Sequence, residues 1–78
     1  MKLKIKYFGM LSEIAEKDSE FLELNPISVS ELKKVLQERY PKFITMNFKI
    51  AVNHSLVDES ASLKNNDEIA LLPPFAGG

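Results

Sequence analysis

Residues Glu68 to Gly78 read EIALLPPFAGG, and the fold turns on how this stretch is interpreted. Ile69 and Leu71 share one strand parity while Ala70 and Leu72 share the other, so Glu68 to Leu72 reads as a strand that is apolar on both faces. Such a strand is central in its sheet or is covered by another protein. Ile69 and Leu71 are expected to face a helix. Beyond them, Pro73 and Pro74 donate no backbone hydrogen bonds and fix φ, which carries the chain stiffly away from the sheet. Gly77 and Gly78 have no side chain to obstruct a narrow tunnel, and Gly78 ends the sequence with an α-carboxylate. This predicts a folded domain over residues 1–72 and an extended, flexible tail over 73–78. An idle terminus or a cloning scar is the plain alternative. Against it, the sequence starts at a plain Met1 without a tag, and two of its 3 glycines are these.

Upstream, Asn53-His54-Ser55 is a polar turn between Phe48–Val52, where Phe48, Ile50 and Val52 alternate with Lys49 and Ala51, and a short return strand begun by Leu56 and Val57. Asp58 to Asp67 then crosses to the last strand, anchored only by Ala61 and Leu63. The clearest helix lies before these strands. Ser28 and Glu31 have capping-box spacing, Val29, Leu32, Val35, Leu36 and Tyr40 form one apolar stripe, and Pro41 stops the run. Lys42 to Asn47 reads as a loop. At the start, Leu3, Ile5 and Tyr7 alternate with Lys2, Lys4 and Lys6, giving a half-buried strand whose lysine row is expected to be a solvated face. Phe8 shares parity with the lysines, so it either turns inward at a bulge or marks an apolar contact surface. A short helix around Leu11, Ile14 and Ala15 and a second strand, Glu20 to Leu24, closed by Asn25-Pro26, complete the order.

Composition narrows the chemistry. A chain of 78 residues makes one domain without room for a large internal active site. Its 10 basic and 11 acidic residues give a formal net charge of −1, so no global field attracts nucleic acid. No apolar run is long enough to span a membrane and no signal peptide precedes the first strand, so a soluble, cytoplasmic protein is expected. With 0 cysteines there is no disulfide, thiolate metal site or cysteine nucleophile. The 1 histidine, His54, cannot make a zinc site by itself and reads as an exposed turn residue; no metal site is expected.

An α+β fold follows, in which one main helix packs across a mixed four- to five-stranded sheet. With this element order and a protruding diglycine, the chain resembles the ubiquitin-like β-grasp family over its whole length. Closer still, Ala51 to Val57, Asn66 to Gly78, and Tyr7-Phe8-Gly9 leading to a helix with Ser12 and Glu13 are similar to the small subunits of molybdopterin synthase. In that family a VN turn, a DE entering the last strand, and an ending of two prolines, two residues and two glycines recur. Phe75 and Ala76 occupy the two variable places.

The resemblance implies a sulfur carrier for molybdenum cofactor synthesis. An ATP-dependent adenylyltransferase, similar to ubiquitin-activating enzymes, would convert the Gly78 carboxylate to a transient acyl-adenylate. A persulfide donor would then leave a thiocarboxylate there. Sulfur would pass to cyclic pyranopterin monophosphate in the pocket of the large subunit of molybdopterin synthase, in an assembly of two small and two large subunits. Gly78 would be the reactive residue and Gly77 the access residue, with Phe75, Leu72, Pro73, Pro74, Ala76 and Phe8 as partner contacts. The chain would bind no cofactor of its own and carry no catalytic constellation; whether it counts as an enzyme stays open. Two other readings use the same terminus: a sulfur carrier for thiazole synthesis in the thiamine pathway, a family that usually lacks the paired prolines, and a ubiquitin-like protein modifier. A plain interaction module with an idle tail is the fourth.

Overall fold

The computed structural model describes residues 1–25 and 28–73. Strand β1 (Lys2–Tyr7) leads to the short helix α1 (Met10–Ala15), strand β2 (Ser19–Glu23) and the main helix α2 (Val29–Arg39). A 3-10 helix (Pro41–Thr45) precedes β3 (Lys49–Val52), β4 (Ser55–Leu56) and β5 (Glu68–Leu72). The five strands form one sheet in the order β2-β1-β5-β3-β4. β1 and β5 run parallel, and every other neighbouring pair is antiparallel. The last strand is therefore central, one of the two arrangements that its apolar faces allow.

Strand parity sorts the side chains. Leu3, Ile5 and Tyr7 of β1 and Ile69 and Leu71 of β5 are buried against Leu32 and Leu36 of α2 within one core. Lys2, Lys4 and Lys6 lie on the opposite, open face. Ala51 was expected beside Lys49 on that outer side, yet it is buried there, because Ala70 and Leu56 flank it in register.

Two local expectations are corrected. Ser28 is the N-cap of α2 but makes no side-chain cap hydrogen bond. The crossing loop does the work instead: the Val29 and Ser30 amides donate to the carbonyls of Ala61 and Glu59, both at 2.9 Å. With the Ser30 amide already bonded to main chain, the hydroxyl has lost one of its two ordinary targets. Lys42 to Asn47 is likewise no simple loop. Pro41 starts the 3-10 helix with a preset φ, and Phe43 within it is fully buried, 5.1 Å from the Tyr40 ring and 5.6 Å from that of Phe48. This helix closes the core between α2 and β3.

Two polar clusters fix the frame. At one end, Tyr7 and Tyr40 donate to the same Glu20 oxygen at 2.5 and 2.6 Å, tying β1, β2 and the end of α2 together. At the other, the Asn53 and His54 hairpin turn has φ of 50° and 72°, the left-handed pair of a two-residue turn. The Asn53 side chain donates to Asp67 at 2.9 Å and accepts from the Glu68 amide at 3.0 Å, while the Asn53 amide donates to the Glu68 carbonyl at 2.8 Å. Asp67, buried at 9% exposure, also accepts the Lys64 amide at 2.8 Å. The VN turn and the DE dipeptide are thus two halves of one hydrogen-bonded lock at the start of β5.

Candidate functional site at the root of the C-terminal tail

Parallel pairing brings the C-terminal ends of β1 and β5 to the same end of the sheet, with Tyr7 beside Leu71. Phe8 and Leu72 follow this pair. Phe8 is 44% exposed, which settles its parity in favour of an apolar surface rather than an inward bulge. Leu72 and Pro73 are half-buried. Gly9 completes the root: its φ of 56° favours glycine, and a Cβ built there would come within 3.0 Å of the Pro73 ring. The β1–α1 turn and the departing chain therefore lie almost flush.

Of the predicted site residues, the structure brings Phe8, Leu72 and Pro73 together at this end. Pro74, Phe75, Ala76, Gly77 and Gly78 lie outside the described residues, as does Pro26 at the end of β2. Met10, 61% exposed in the first turn of α1, follows Gly9 directly and is a further exposed apolar side chain that the sequence pattern does not single out. Its only sequence signal was its place one residue before the buried Leu11. Leu56, 62% exposed, lies on the open face opposite Ala51.

The shifted titratable groups near this end of the sheet are Glu20, Tyr7 and Tyr40. Burial by itself would raise the Glu20 carboxyl, but hydrogen bonds from Tyr40 and Tyr7, with the Lys17 and Arg39 charges, hold it below the ordinary value. Burial, reinforced by the Glu20 contact, pushes both phenols up. These groups keep their protonation states across neutral pH and act as a clasp. His54 is exposed, with Nε2 3.5 Å from Glu68, which forms an ion pair only when the ring is protonated. No group of acidic or histidine side chains that could hold a metal occurs among the described residues. No helix among them is long and apolar enough to cross a membrane.

Comparison with known proteins agrees with this frame. The chain is 34% identical to a molybdopterin synthase sulfur carrier subunit of Dictyostelium discoideum, covering 99% of this chain and 96% of the relative. A Pyrococcus furiosus protein provisionally named molybdopterin converting factor subunit 1 superposes with a TM-score of 0.88 at 29% identity, covering 96% of this chain and 99% of that one. A chain of the Helicobacter pylori protein–protein complex of subunits 1 and 2 of molybdopterin-converting factor superposes with a TM-score of 0.72 at 31% identity, each chain covered in full. The sheet, its single main helix and these likenesses make the fold a ubiquitin-like β-grasp. Residues 5–78 match the ThiS family model, a span that takes in the central strand, the tail root and the diglycine, and the chain belongs to the ThiS family.

Proposed function

We propose that this chain is the sulfur carrier subunit of molybdopterin synthase and that the Gly78 carboxylate is its working group. The observation that carries the reading is the full-length likeness to sulfur carrier subunits. The tail root supports it, because β5 lies within the sheet, is locked at its start and leads directly to Pro73 against Gly9, a firm base for the segment that follows.

The chemistry follows from the weakness of a carboxylate as an electrophile. The Gly78 carboxylate attacks the α-phosphorus of ATP and pyrophosphate leaves, giving an acyl-adenylate on an adenylyltransferase. A protein persulfide then attacks the acyl carbon and AMP departs, leaving an acyl disulfide. A thiol reduces its S–S bond, so the thiol and donor cysteine become a disulfide and Gly78 keeps a thiocarboxylate. In the large subunit this sulfur forms a C–S bond to cyclic pyranopterin monophosphate as a C–O bond at the attacked carbon breaks and its oxygen leaves. Water then cleaves the resulting thioester, restoring the Gly78 carboxylate and leaving the sulfur on the substrate. Two such transfers build the dithiolene. Gly77 gives access, since a Cβ there would obstruct two successive tunnels. Phe8, Leu72, Pro73, Pro74, Phe75 and Ala76 make the apolar docking surface, in a cytoplasmic assembly of two small and two large subunits.

Deleting Gly77 and Gly78 tests the reading. Molybdopterin formation by the truncated chain with its partners is expected to stop while the domain stays folded; normal formation would refute the proposal. Isopeptide adducts of Gly78 on lysines would indicate a modifier, and rescue of thiazole but not molybdopterin synthesis the thiamine pathway.

A further inference from the structure

The open face of the sheet holds a cluster that sulfur transfer itself does not use. Lys2 and Lys4, two apart on β1, both project from this face, and their ammonium groups converge on one ring: Lys2 Nζ is 4.6 Å and Lys4 Nζ 5.9 Å from the Phe21 centroid. Phe21 stands opposite Lys4 in the antiparallel register of edge strand β2 and is 61% exposed. Two like charges drawn to one exposed ring would ordinarily be offset by a nearby carboxylate. Among the described residues neither lysine forms an ion pair, although Glu23 lies opposite Lys2 in register. The other acid on this face, Glu68, already lies 3.5 Å from Lys6 and 3.5 Å from His54. The face is locally cationic on a chain whose formal net charge is −1.

We propose that Lys2, Lys4 and Phe21 dock an acidic patch on the large subunit of the synthase, an inference that rests on the function proposed above. Charge complementarity selects a protein carboxylate cluster over nucleic acid, because a net negative chain repels a polyanion at long range while a local pair of lysines still attracts acids at contact. Phe21 supplies the apolar surface that such a contact can cover. The distances fit. Lys4 is in register with Glu68, and from there to Pro73 the strand spans about 17 Å at the usual rise. A standard interface of about 800 Å² per partner, drawn as a disc, has a radius of about 16 Å. A footprint centred on Leu72 therefore has Lys4 at its rim, about 14 Å back along the sheet. The Lys2 backbone starts about 7 Å further back, but its ammonium reaches forward to within 4.6 Å of the Phe21 centroid. At such a rim charge governs the rate of encounter more than the lifetime of the complex.

The experiment measures association and dissociation rates of the full chain with the purified large subunit, at low salt and at about 0.5 M salt. It compares wild type with Lys2→Glu/Lys4→Glu and Lys2→Gln/Lys4→Gln, each checked for an unchanged unfolding midpoint. At low salt the charge reversal is expected to lower the association rate about tenfold and neutralisation less, with dissociation nearly unchanged and the difference closing at high salt. Equal association rates for the three chains overturn the proposal. A drop seen only with the adenylyltransferase also overturns it, by naming a different occupant. Wild type that does not bind the large subunit at all refutes the function reading first, and the docking assignment with it.

Discussion

Replacing Asp67 with alanine should destabilise the domain through the lock at the start of β5. The carboxylate accepts from the Asn53 side chain at 2.9 Å and from the Lys64 amide at 2.8 Å. Hydrogen bonds to a charged acceptor contribute about 1.5–3 kcal/mol each, but Asn53 and Lys64 are exposed, so water recovers part of both. A loss of about 2–3 kcal/mol is the reasoned total. At about 4–8 °C per kcal/mol for a domain of this size, the midpoint should fall by roughly 10–20 °C.

Urea unfolding followed by far-UV circular dichroism measures the change, with an unaltered m-value showing that the folded state keeps its compactness. Asn53→Gly is the informative partner: glycine keeps the left-handed turn at φ 50° while removing the amide. Because the two side chains share a bond, the double variant should be less destabilised than the sum of the singles by about 1 kcal/mol. An Asp67→Ala chain within about 0.5 kcal/mol of wild type, or strictly additive variants, would refute the lock.

Three further outcomes follow from the same geometry. Glu20 has a lowered carboxyl pKa in the fold, so its contribution is present above the unfolded value and is lost as pH falls through the folded one; Glu20→Gln should flatten the acid limb of a stability–pH curve. An equally steep limb would contradict the clasp. Phe43→Ala empties a fully buried site and should cost about 3–5 kcal/mol by denaturant melting, whereas a loss under 1 kcal/mol would mean that the 3-10 helix does not close the core. His54→Gln should leave both stability and sulfur transfer unchanged within about 0.5 kcal/mol and twofold, because the ring is exposed and serves only a turn; a large loss of transfer would give it a role denied here.

Strand parity made the sheet legible. The two apolar faces of Ile69–Leu72 limited β5 to the centre of the sheet or a position under a partner, and the alternation of Leu3, Ile5 and Tyr7 with three lysines separated core from open face. Signals of this kind span several residues and report burial directly. What escaped were features made by tertiary contact. Phe43 lies in five residues too short to show a period, so its wedge between α2 and β3 could not be read. The capping spacing of Ser28 was genuine, yet loop carbonyls distant in sequence reached the first-turn amides. Phe21 and Lys4 are 17 positions apart, and only the β1–β2 register makes them neighbours. At the tail root, the parity of Phe8 was visible but its direction was not, because Gly9 could have bulged either way. The VN and DE motifs were legible as a family resemblance; their shared cause, one hydrogen-bonded lock, emerged only from the fold.

The most direct test of the central claim is the mass of the C-terminal peptide, taken from chain isolated with its cellular activating system and treated with a thiol alkylator. Alkylation and peptide-level localisation matter, since oxidation of Met1, Met10 or Met46 nominally mimics exchange of oxygen for sulfur in the intact mass. An alkylated sulfur localised to Gly78 is the predicted result. A Gly78 carboxylate that stays unmodified with ATP, adenylyltransferase and persulfide donor all present would contradict the account.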